Sequence, residues 1–260
     1  MIGLPPGTIL QSLYLREQLT LKKKQGKKKF IEVGAGNGFI SKIFLDLGFE
    51  GCGYDLNISA CENNRSINSQ HTRSGKYKVF NKDFIDDKEI LQTDIVISCM
   101  VIEHLPNEKL SNYIDKCKKV LKEEGTIILI VPASMNFWGI EDEIAGHIKR
   151  YEFVDIRKIA DQFDLKIVNI RGLTYPLSNI LFQLSNSLVK KNESEKLKLS
   201  QQERTVYTGN RKIKYKTEFP KLFNVILNPI TMYPFHFLQK MFSQNENSMV
   251  IYAELGKTIK

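Results

Sequence analysis

The sequence predicts an α/β fold built on a doubly wound, mostly parallel sheet of seven strands. From Phe30 onward, short apolar runs alternate with stretches of helical periodicity. Runs such as Ile95–Ile97 are uninterrupted, which is typical of strands that are buried on both faces of a parallel sheet. A strand-like run at Met249–Leu255 follows a long segment without this alternation. Strands and helices in this order favour a sheet with helices on both faces, and a helical insertion before its last strand.

Each element rests on a local pattern. Leu110, Tyr113, Ile114 and Cys117 recur at helical spacing, and Gly48 and Pro132 mark the ends of a helix and a strand. Helices are predicted at Ile9–Lys24, Phe39–Leu47, around Ser59–Ser69, at Leu110–Leu121 and at Phe153–Phe163. Strands are predicted at Phe30–Val33, Gly51–Asp55, Tyr77–Phe80, Thr93–Cys99, Thr126–Val131, Leu165–Ile170 and Met249–Leu255.

These elements divide the chain into four predicted segments. Residues 1–27 form an N-terminal helix or cap, and residues 28–171 form a ligand-binding α/β core. Residues 172–247 form a helical insertion that covers the substrate, and residues 248–260 return to the sheet as its last strand.

Composition limits the class of protein. The chain has 260 residues, of which 42% are hydrophobic, so it can bury a substantial core. No run reaches the ~18–20 apolar residues of a transmembrane helix, and the first ten residues lack a signal-peptide pattern. A cytoplasmic location is expected. The four cysteines form no CxxC pair, so no metal site is predicted.

The formal charge of +9 is concentrated in the predicted insertion. Residues 172–247 hold eleven lysines and arginines against five glutamates, most densely between Arg204 and Lys216 around Tyr207 and Tyr215. Such a basic, aromatic segment suits a phosphorylated or nucleotide-linked acceptor, although a solvated face of a helical cap has the same pattern. The apolar segments Leu177–Leu188 and Tyr233–Phe242 could instead form an oligomer surface or contact a membrane peripherally.

A glycine-rich turn follows the first predicted strand. Glu32 and Val33 lead directly into Gly34, Gly36 and Gly38, and the next helix offers its N-terminal N–H groups to a ligand. The spacing is GxGxG, whereas dinucleotide enzymes have GxGxxG, and no P-loop lysine follows. By itself the pattern also fits a tight strand–helix turn in any α/β protein.

Two further strand ends carry acidic residues. Asp55 ends the second strand, where a carboxylate can accept hydrogen bonds from both hydroxyls of a ribose. Asp83 and Phe84 follow the third strand, where a carboxylate can bind an amino group and a ring can cover a base. Structural roles also fit these residues, with Asp55 in a helix N-cap and Asp83 in a turn.

Over about residues 28–171 and the final strand, the sequence resembles the class I S-adenosylmethionine-dependent methyltransferases, in particular the ubiquinone and menaquinone group. Ser98–Leu105 and Gly125–Pro132 are similar to the motifs of strands four and five in that family. The resemblance implies a Rossmann-like methyltransferase fold, S-adenosylmethionine as cofactor and S-adenosylhomocysteine as product. It places the methionine part against Glu32, Gly34, Gly36 and Gly38, the ribose against Asp55 and Leu56, the adenine against Asp83 and Phe84, and the methyl-transfer site near Cys99.

Candidate catalytic residues follow strands four and five. His104 comes directly after the fourth strand, and His147 and Tyr151 lie in a polar, aromatic segment after the fifth. Either histidine could accept a proton from a hydroxyl acceptor. A structural role is equally compatible with the sequence, with His104 packing or orienting its neighbours, Tyr151 packed, and Arg150 paired to Glu141 or Asp142.

The function expected from these features is methyl transfer, on oxygen, to a small phosphorylated or nucleotide-linked sugar or surface-glycan precursor. RNA is a disfavoured acceptor because the charge forms no stripe and no RNA-binding module is recognisable. Two further hypotheses fit the sequence. One is a lipid-quinone acceptor, and the second is a methyltransferase-fold protein that binds its ligand without turnover.

Overall fold

The computed structural model describes residues 4–193 and 225–258. Within these, the chain clusters into two compact units. The sheet unit takes its described residues from 17–131, 153–170 and 252–260. The second unit takes its described residues from 1–16, 132–152 and 171–251.

The seven strands form one sheet in the order β3-β2-β1-β4-β5-β7-β6. Pairing is parallel between β1 and β2, β1 and β4, β2 and β3, and β4 and β5. The strands are β1 (Lys29–Val33), β2 (Glu50–Asp55), β3 (Tyr77–Asn81), β4 (Thr93–Cys99), β5 (Leu121–Pro132), β6 (Leu165–Leu173) and β7 (Val250–Lys257). The predicted fold class is confirmed.

The described part of the chain also contains nine helices. They are α1 (Pro6–Lys24), α2 (Phe39–Asp46), α3 (Ile58–Ile67), α4 (Ser69–Arg73), α5 (Asn107–Val120), α6 (Ile140–Ala145), α7 (Phe153–Gln162), α8 (Leu177–Glu193) and α9 (Tyr233–Met241). Short 3-10 turns occur at Ile102–His104 and Met135–Phe137.

The strand order reverses at β1, which lies between β2 and β4. In register, Val33 at the end of β1 pairs with Tyr54 on one side and with Ser98 on the other. Because these strands are parallel, the chain leaves all three at the same edge of the sheet. A reversal of this kind opens a crevice at the carboxyl ends of the strands, where α/β proteins bind their ligands.

Burial on both faces of the central strands supplies the core of the sheet unit. Every residue from Ile95 to Ile97 on β4, and from Ile127 to Val131 on β5, is at most 1% exposed. Phe30 on β1 stacks on Phe44 of α2 with ring centroids 4.3 Å apart. These contacts fix α2, and with it the turn that leads into this helix.

The second unit has its own apolar clusters. Ile9, Leu10 and Met232 are buried together, and four partly buried leucines pack against them, namely Leu4, Leu13, Leu177 and Leu227. Ile144 of α6 and Val189 of α8 form another cluster, against which Ile140 packs. The short helix α6 was not expected from the sequence, because six residues are too few to show a helical period.

Most predicted elements lie within a few residues of the observed ones. The largest difference is β5, which starts at Leu121 and was predicted to start at Thr126. Residues 122–124 of this strand are exposed and charged, so its first half lacks the apolar run that marks a buried strand. The predicted helix around Ser59–Ser69 is divided into α3 and α4 at Asn68. The densest part of the basic segment, Arg204–Lys216, lies outside the described residues.

A buried ion pair joins α1 to β7 within the sheet unit. The Nζ atom of Lys22 lies 2.9 Å from a carboxylate oxygen of Glu254, and both side chains are less than a tenth exposed. The hydroxyl of Tyr252 donates a hydrogen bond to the other oxygen of the same carboxylate.

We expect Lys22→Ala to lower the free energy of unfolding by about 3–5 kcal/mol, because it leaves the Glu254 carboxylate buried without its cation. Urea denaturation measures this change. Lys24→Ala removes an exposed lysine from the same helix and is expected to change the free energy by less than about 0.5 kcal/mol. Equal effects of the two substitutions would contradict a structural role for the ion pair.

Candidate active site

The glycine turn after β1 is held by backbone hydrogen bonds to the end of β2. The N–H groups of Gly34 and Ala35 both donate to the carbonyl oxygen of Tyr54, each at 2.9 Å. The N–H of Gly36 donates to Oδ2 of Asp55 at 2.7 Å. Three successive N–H groups of the turn are therefore fixed by two consecutive residues of the neighbouring strand.

Two of the glycines are required for different reasons. Gly34 has φ +71°, and a Cβ atom at this position would overlap the side chain of Val101, which follows β4. Gly36 has φ +48°, and apart from Gly36 itself and its two chain neighbours, none of the described atoms lies within 4 Å of the position that a Cβ would take. The space beside Gly36 is open while the backbone is bent, which is the arrangement that lets a ligand approach the chain closely.

Asp55 supports both sides of the crevice. Its Oδ2 atom accepts from Gly36, and its Oδ1 atom accepts from the N–H of Asn57 at 2.8 Å. Leu56 and Ile58, on either side of Asn57, are 70% and 61% exposed. A carboxylate beside exposed apolar side chains and an open glycine turn fits a ligand with hydroxyl groups and an apolar, planar part. These residues therefore fit the ribose and adenine of S-adenosylmethionine.

A network of buried polar side chains lies behind the turn. The Ser41 hydroxyl, on α2, donates to Glu32 and also contacts the Tyr77 hydroxyl. The amide of Asn64 donates to the same Tyr77 hydroxyl at 3.2 Å. Asn68 in turn donates to Asn64 at 2.9 Å and to the carbonyl oxygen of Gly38 at 3.1 Å.

This network joins the strand before the turn to the helix after it. Because its members are buried, the loss of one hydrogen-bonding group leaves its partners unsatisfied. Its members come from β1, α2, α3 and β3, from the glycine turn, and from the junction between α3 and α4. Their sequence spacing does not indicate that they meet. Glu32 and Gly38 were therefore identified from the sequence, whereas the other four residues were missed, namely Ser41, Asn64, Asn68 and Tyr77.

Burial changes the protonation of Glu32. Removal of its carboxyl group from water raises its pKa to about 8, against the opposing effect of the hydrogen bonds from Ser41. Glu32 therefore carries a proton over much of the neutral range. A neutral carboxylic acid costs less to bury than a carboxylate, so its protonation stabilises the folded sheet unit.

The Asp83–Phe84 pair forms the turn after β3. Oδ1 of Asp83 accepts from the N–H of Ile85 at 2.8 Å, as in an Asx turn. The Phe84 ring is only 2% exposed and packs edge-on against Tyr54, with centroids 5.3 Å apart. The sequence interpretation placed this ring over an adenine, whereas the structure places it in the core, where it supports the end of β2 from inside.

The chain bends sharply where β4 ends. Met100 has φ +55°, which is strained for a residue with a side chain, and its N–H donates to the carbonyl oxygen of Ile130 at 2.8 Å. Burial raises the pKa of the Cys99 thiol, so this residue stays neutral. His104 ends the 3-10 turn that follows and is half-buried.

His147 belongs to a polar cluster in the second unit. Its Nδ1 atom lies 2.7 Å from Oδ1 of Asp142, and the Nε of Arg150 donates to the same oxygen at 2.9 Å. The other oxygen of Asp142 accepts from the N–H of Gly139 at 2.9 Å, which caps α6. Burial raises the pKa of Asp142, but the hydrogen bonds from His147 and Arg150 outweigh it and hold the pKa below its usual value.

Tyr151 is fully buried, and Arg150 is paired to Asp142. Both observations follow the structural interpretation of this segment. Arg150 also donates to the carbonyl oxygen of Ala133 at 3.0 Å, so it ties the segment to the end of β5. In the sequence, Asp142 is one of two candidate partners of Arg150, and its position five residues before His147 does not indicate that it also holds the histidine ring.

Glu32 gives a pH-dependent prediction. The unfolded carboxyl group has a pKa near 4.5 and the folded group one of about 8, so the stabilisation is complete below pH 4.5 and is lost as the pH rises to about 8. At ~1.4 kcal/mol per pKa unit, the loss is on the order of a few kcal/mol. Glu32→Gln, which cannot ionise, is expected to remove this part of the pH dependence.

Urea denaturation of both proteins between pH 4.5 and 8.5 measures the difference. Glu50→Gln, which neutralises an exposed carboxylate on β2, is the matched control and is expected to leave the slope unchanged. Parallel pH profiles for wild type and Glu32→Gln would contradict the raised pKa.

Comparisons with known proteins agree with this geometry. A family model described as a methyltransferase domain matches residues 10–170, which is more than half of the chain. A ubiquinone biosynthesis O-methyltransferase from Glaesserella parasuis serovar 5 (strain SH0165) is 31% identical over 106 residues. That match covers 39% of this chain and 44% of the relative, so the chain spans less than half the length of this relative.

Solved structures show the same fold. A putative sarcosine dimethylglycine methyltransferase from Galdieria sulphuraria superimposes with a TM-score of 0.57 at 13% sequence identity. The superposition covers 95% of this chain and 86% of the chain of that protein. The magnesium protoporphyrin IX methyltransferase from Synechocystis PCC 6803 with bound SAH superimposes with a TM-score of 0.54 at 17% sequence identity. That superposition covers 65% of this chain and 77% of the chain of that protein. The family match, the fold and the glycine turn beside Asp55 agree, and the chain belongs to the class I S-adenosylmethionine-dependent methyltransferases.

Proposed function

We propose that the protein transfers the methyl group of S-adenosylmethionine to a hydroxyl oxygen of a small, phosphorylated or nucleotide-linked sugar, such as a surface-glycan precursor. The observation that carries the methyl-transfer part is the turn at Gly34–Gly38, whose N–H groups are bound to Tyr54 and Asp55 beside an open space. Such a preformed site keeps the cofactor in one orientation, which an in-line displacement requires.

Each part of the crevice has a proposed role toward the cofactor. The open backbone at Gly36 admits the methionine part, and Asp55 accepts hydrogen bonds from the ribose hydroxyls. The exposed side chains of Leu56 and Ile58 offer an apolar surface to the adenine, and Asp83 stands at the adjoining strand end. Glu32 acts indirectly, since it is buried behind the turn and bonded to Ser41.

The bound cofactor supplies a methyl group that is already activated by its positive sulfonium sulfur. The acceptor oxygen forms a bond to the methyl carbon as the carbon–sulfur bond breaks, and the products are the methyl ether and S-adenosylhomocysteine. The hydroxyl proton passes to a base. The protein's share of the work is to align the acceptor, to exclude water and to receive this proton.

His147 is the proposed base. Its Nδ1 atom is held by Asp142, so the ring has a fixed orientation and its Nε2 atom is the one suited to accept a proton. A buried carboxylate also stabilises the imidazolium that results, as it does in catalytic Asp–His pairs. Arg150 shares Asp142 and keeps this carboxylate ionised.

Two features support the choice of acceptor. The relative from Glaesserella parasuis is named an O-methyltransferase, which favours oxygen as the atom that is methylated. The sequence of residues 172–247 is basic and holds tyrosines among its lysines and arginines, which favours a phosphate-bearing acceptor. The second candidate is a lipid-quinone, because the same relative takes part, by its name, in ubiquinone biosynthesis.

Asp55→Ala is expected to weaken the binding of S-adenosylmethionine ~10- to 100-fold, because hydrogen bonds to a charged group contribute about 1.5–3 kcal/mol. Isothermal titration calorimetry with S-adenosylmethionine and S-adenosylhomocysteine measures both affinities. Asp86→Ala removes an exposed carboxylate of the same unit and is the control. An affinity of Asp55→Ala within two-fold of wild type would refute the proposed ribose contact, and no binding to the wild type would refute the function.

His147→Gln is expected to lower kcat by ~10²- to 10⁴-fold, the range of general base catalysis, and to leave cofactor affinity unchanged. Asp142→Asn, which mispositions the ring, should lower kcat and shift the pH profile of the reaction. Methylation of a panel of sugar phosphates, nucleotide sugars and demethylated quinols measures kcat and identifies the acceptor. His71→Gln on α4 is the control. Cofactor binding without turnover on any class would favour a binding protein over an enzyme.

A further inference from the structure

We propose that the outer face of α9, together with the turn before it, is a docking surface for an anionic lipid membrane. This outer face consists of Ile230, Tyr233, Phe237 and Met241. All four are large apolar or aromatic side chains, with exposures of 85%, 56%, 63% and 59%. The proposal does not depend on the identity of the methyl acceptor.

Three exposed residues share one side of the helix, whereas Phe235, which is 38% exposed, lies outside this row. Tyr233, Phe237 and Met241 follow one another at intervals of four residues on α9, so their side chains lie in a row. On the opposite side of the helix, His236 is 1% and Gln239 0% exposed. Within the described part of the chain, protein therefore covers His236 and Gln239 and leaves the row of Tyr233, Phe237 and Met241 in contact with solvent.

Buried polar contacts fix which side faces outward. The side-chain oxygen of Gln239 accepts from the N–H of Thr174 at 2.9 Å, and its nitrogen donates to the carbonyl oxygen of Leu10 at 2.9 Å. The same amide lies 2.7 Å from Nδ1 of His236. Rotation of α9 to bury this row of side chains would break the contacts of Gln239 to Thr174 and Leu10, so the exposure of the outer face is built into the fold of the second unit.

Exposed apolar residues on monomeric proteins are usually scattered singly, and a continuous set marks an interaction surface. Helix α8 repeats the pattern with Ile180 and Leu184, one turn apart and 72% and 59% exposed. Ile226, which precedes Ile230 by four residues, is 63% exposed. Val225 and Phe235 are also exposed, by 71% and 38%. Among the described residues of the second unit, nine large apolar side chains therefore face solvent on α8, on α9 and in the turn before α9.

Charge favours a lipid surface over a second copy of the chain. Residues 172–247 carry a surplus of lysine and arginine, and Lys190 and Lys240 are exposed on α8 and α9. Basic residues around an aromatic face attract anionic headgroups while the rings enter the boundary of the acyl chains. In a symmetric dimer the same basic surfaces would meet and repel each other.

The contact would be interfacial. Helix α9 has nine residues and is thus roughly 13 Å long, well short of a bilayer core of about 30 Å. Among residues 4–193 and 225–258, no helix is long and apolar enough to cross a membrane. A face of this size would give reversible binding, strengthened by each basic residue near the headgroups.

Co-sedimentation of the full chain with vesicles tests the proposal. Wild-type protein is expected to bind equimolar phosphatidylglycerol–phosphatidylcholine vesicles, and to bind pure phosphatidylcholine vesicles at least ~10-fold more weakly. The variant Ile230→Ser/Tyr233→Ser/Phe237→Ser is expected to lose anionic vesicle binding by ~10-fold or more, because these side chains would enter the lipid boundary. Its cofactor affinity, measured by calorimetry, should equal that of wild type.

The matched control is Ile90→Ser/Val154→Ser/Val168→Ser, which removes three apolar residues of similar exposure, 55%, 49% and 52%, from the sheet unit. It should bind vesicles like wild type. If the triple variant on the outer face is unstable in thermal melting, Ile230→Ser alone, at the most exposed position, replaces it. Unchanged vesicle binding by the variant, or equal binding to both vesicle types, would overturn the proposal. The proposal would also be overturned if the wild-type protein bound no vesicles and light scattering showed that it forms a dimer which the triple variant does not form.

Discussion

The attachment of the glycine turn to the end of β2 is the constraint on which the candidate active site depends. Tyr54 and Asp55 accept hydrogen bonds from three successive N–H groups of the turn, so β1 and β2 end in one rigid structure. Asp55 also holds the start of α3 through Asn57. A single carboxylate thus sets the positions of the two loops that border the crevice. In this chain, the acidic residue at the end of β2 and the glycines after β1 therefore form one structural unit.

The support behind this turn is polar as well as apolar. Ring stacking of Phe30 on Phe44 holds α2 to the sheet, while Glu32, Ser41, Tyr77, Asn64 and Asn68 join the helix start to β1, α3 and β3. Such a network has directional contacts that an apolar core lacks, and it therefore allows one arrangement of the turn. The cost is the burial of a carboxyl group, which the protein limits by keeping Glu32 protonated, with a pKa of about 8.

The second unit uses buried polar groups in the same way for two different purposes. Asp142 caps α6, pairs with Arg150 and orients His147, so the structural and the catalytic interpretations of this segment are compatible. Gln239 binds the backbone groups of Thr174 and Leu10, and through them it sets the rotation of α9. In each case one buried side chain fixes the orientation of the residues around it.

The sequence by itself determined the fold class, nearly all strands and helices, the glycine turn and the importance of Asp55, because these follow from local periodicity and from residue types at strand ends. It also indicated the family. Only the tertiary structure decided how Phe84 and Tyr151 are used, since burial depends on what packs around a ring. The network of Ser41, Asn64, Asn68 and Tyr77, and the hold of Asp142 on His147, were likewise decided by tertiary structure. Their members have no recognisable spacing along the chain, and only the folded arrangement of strands and helices brings them within hydrogen-bonding distance.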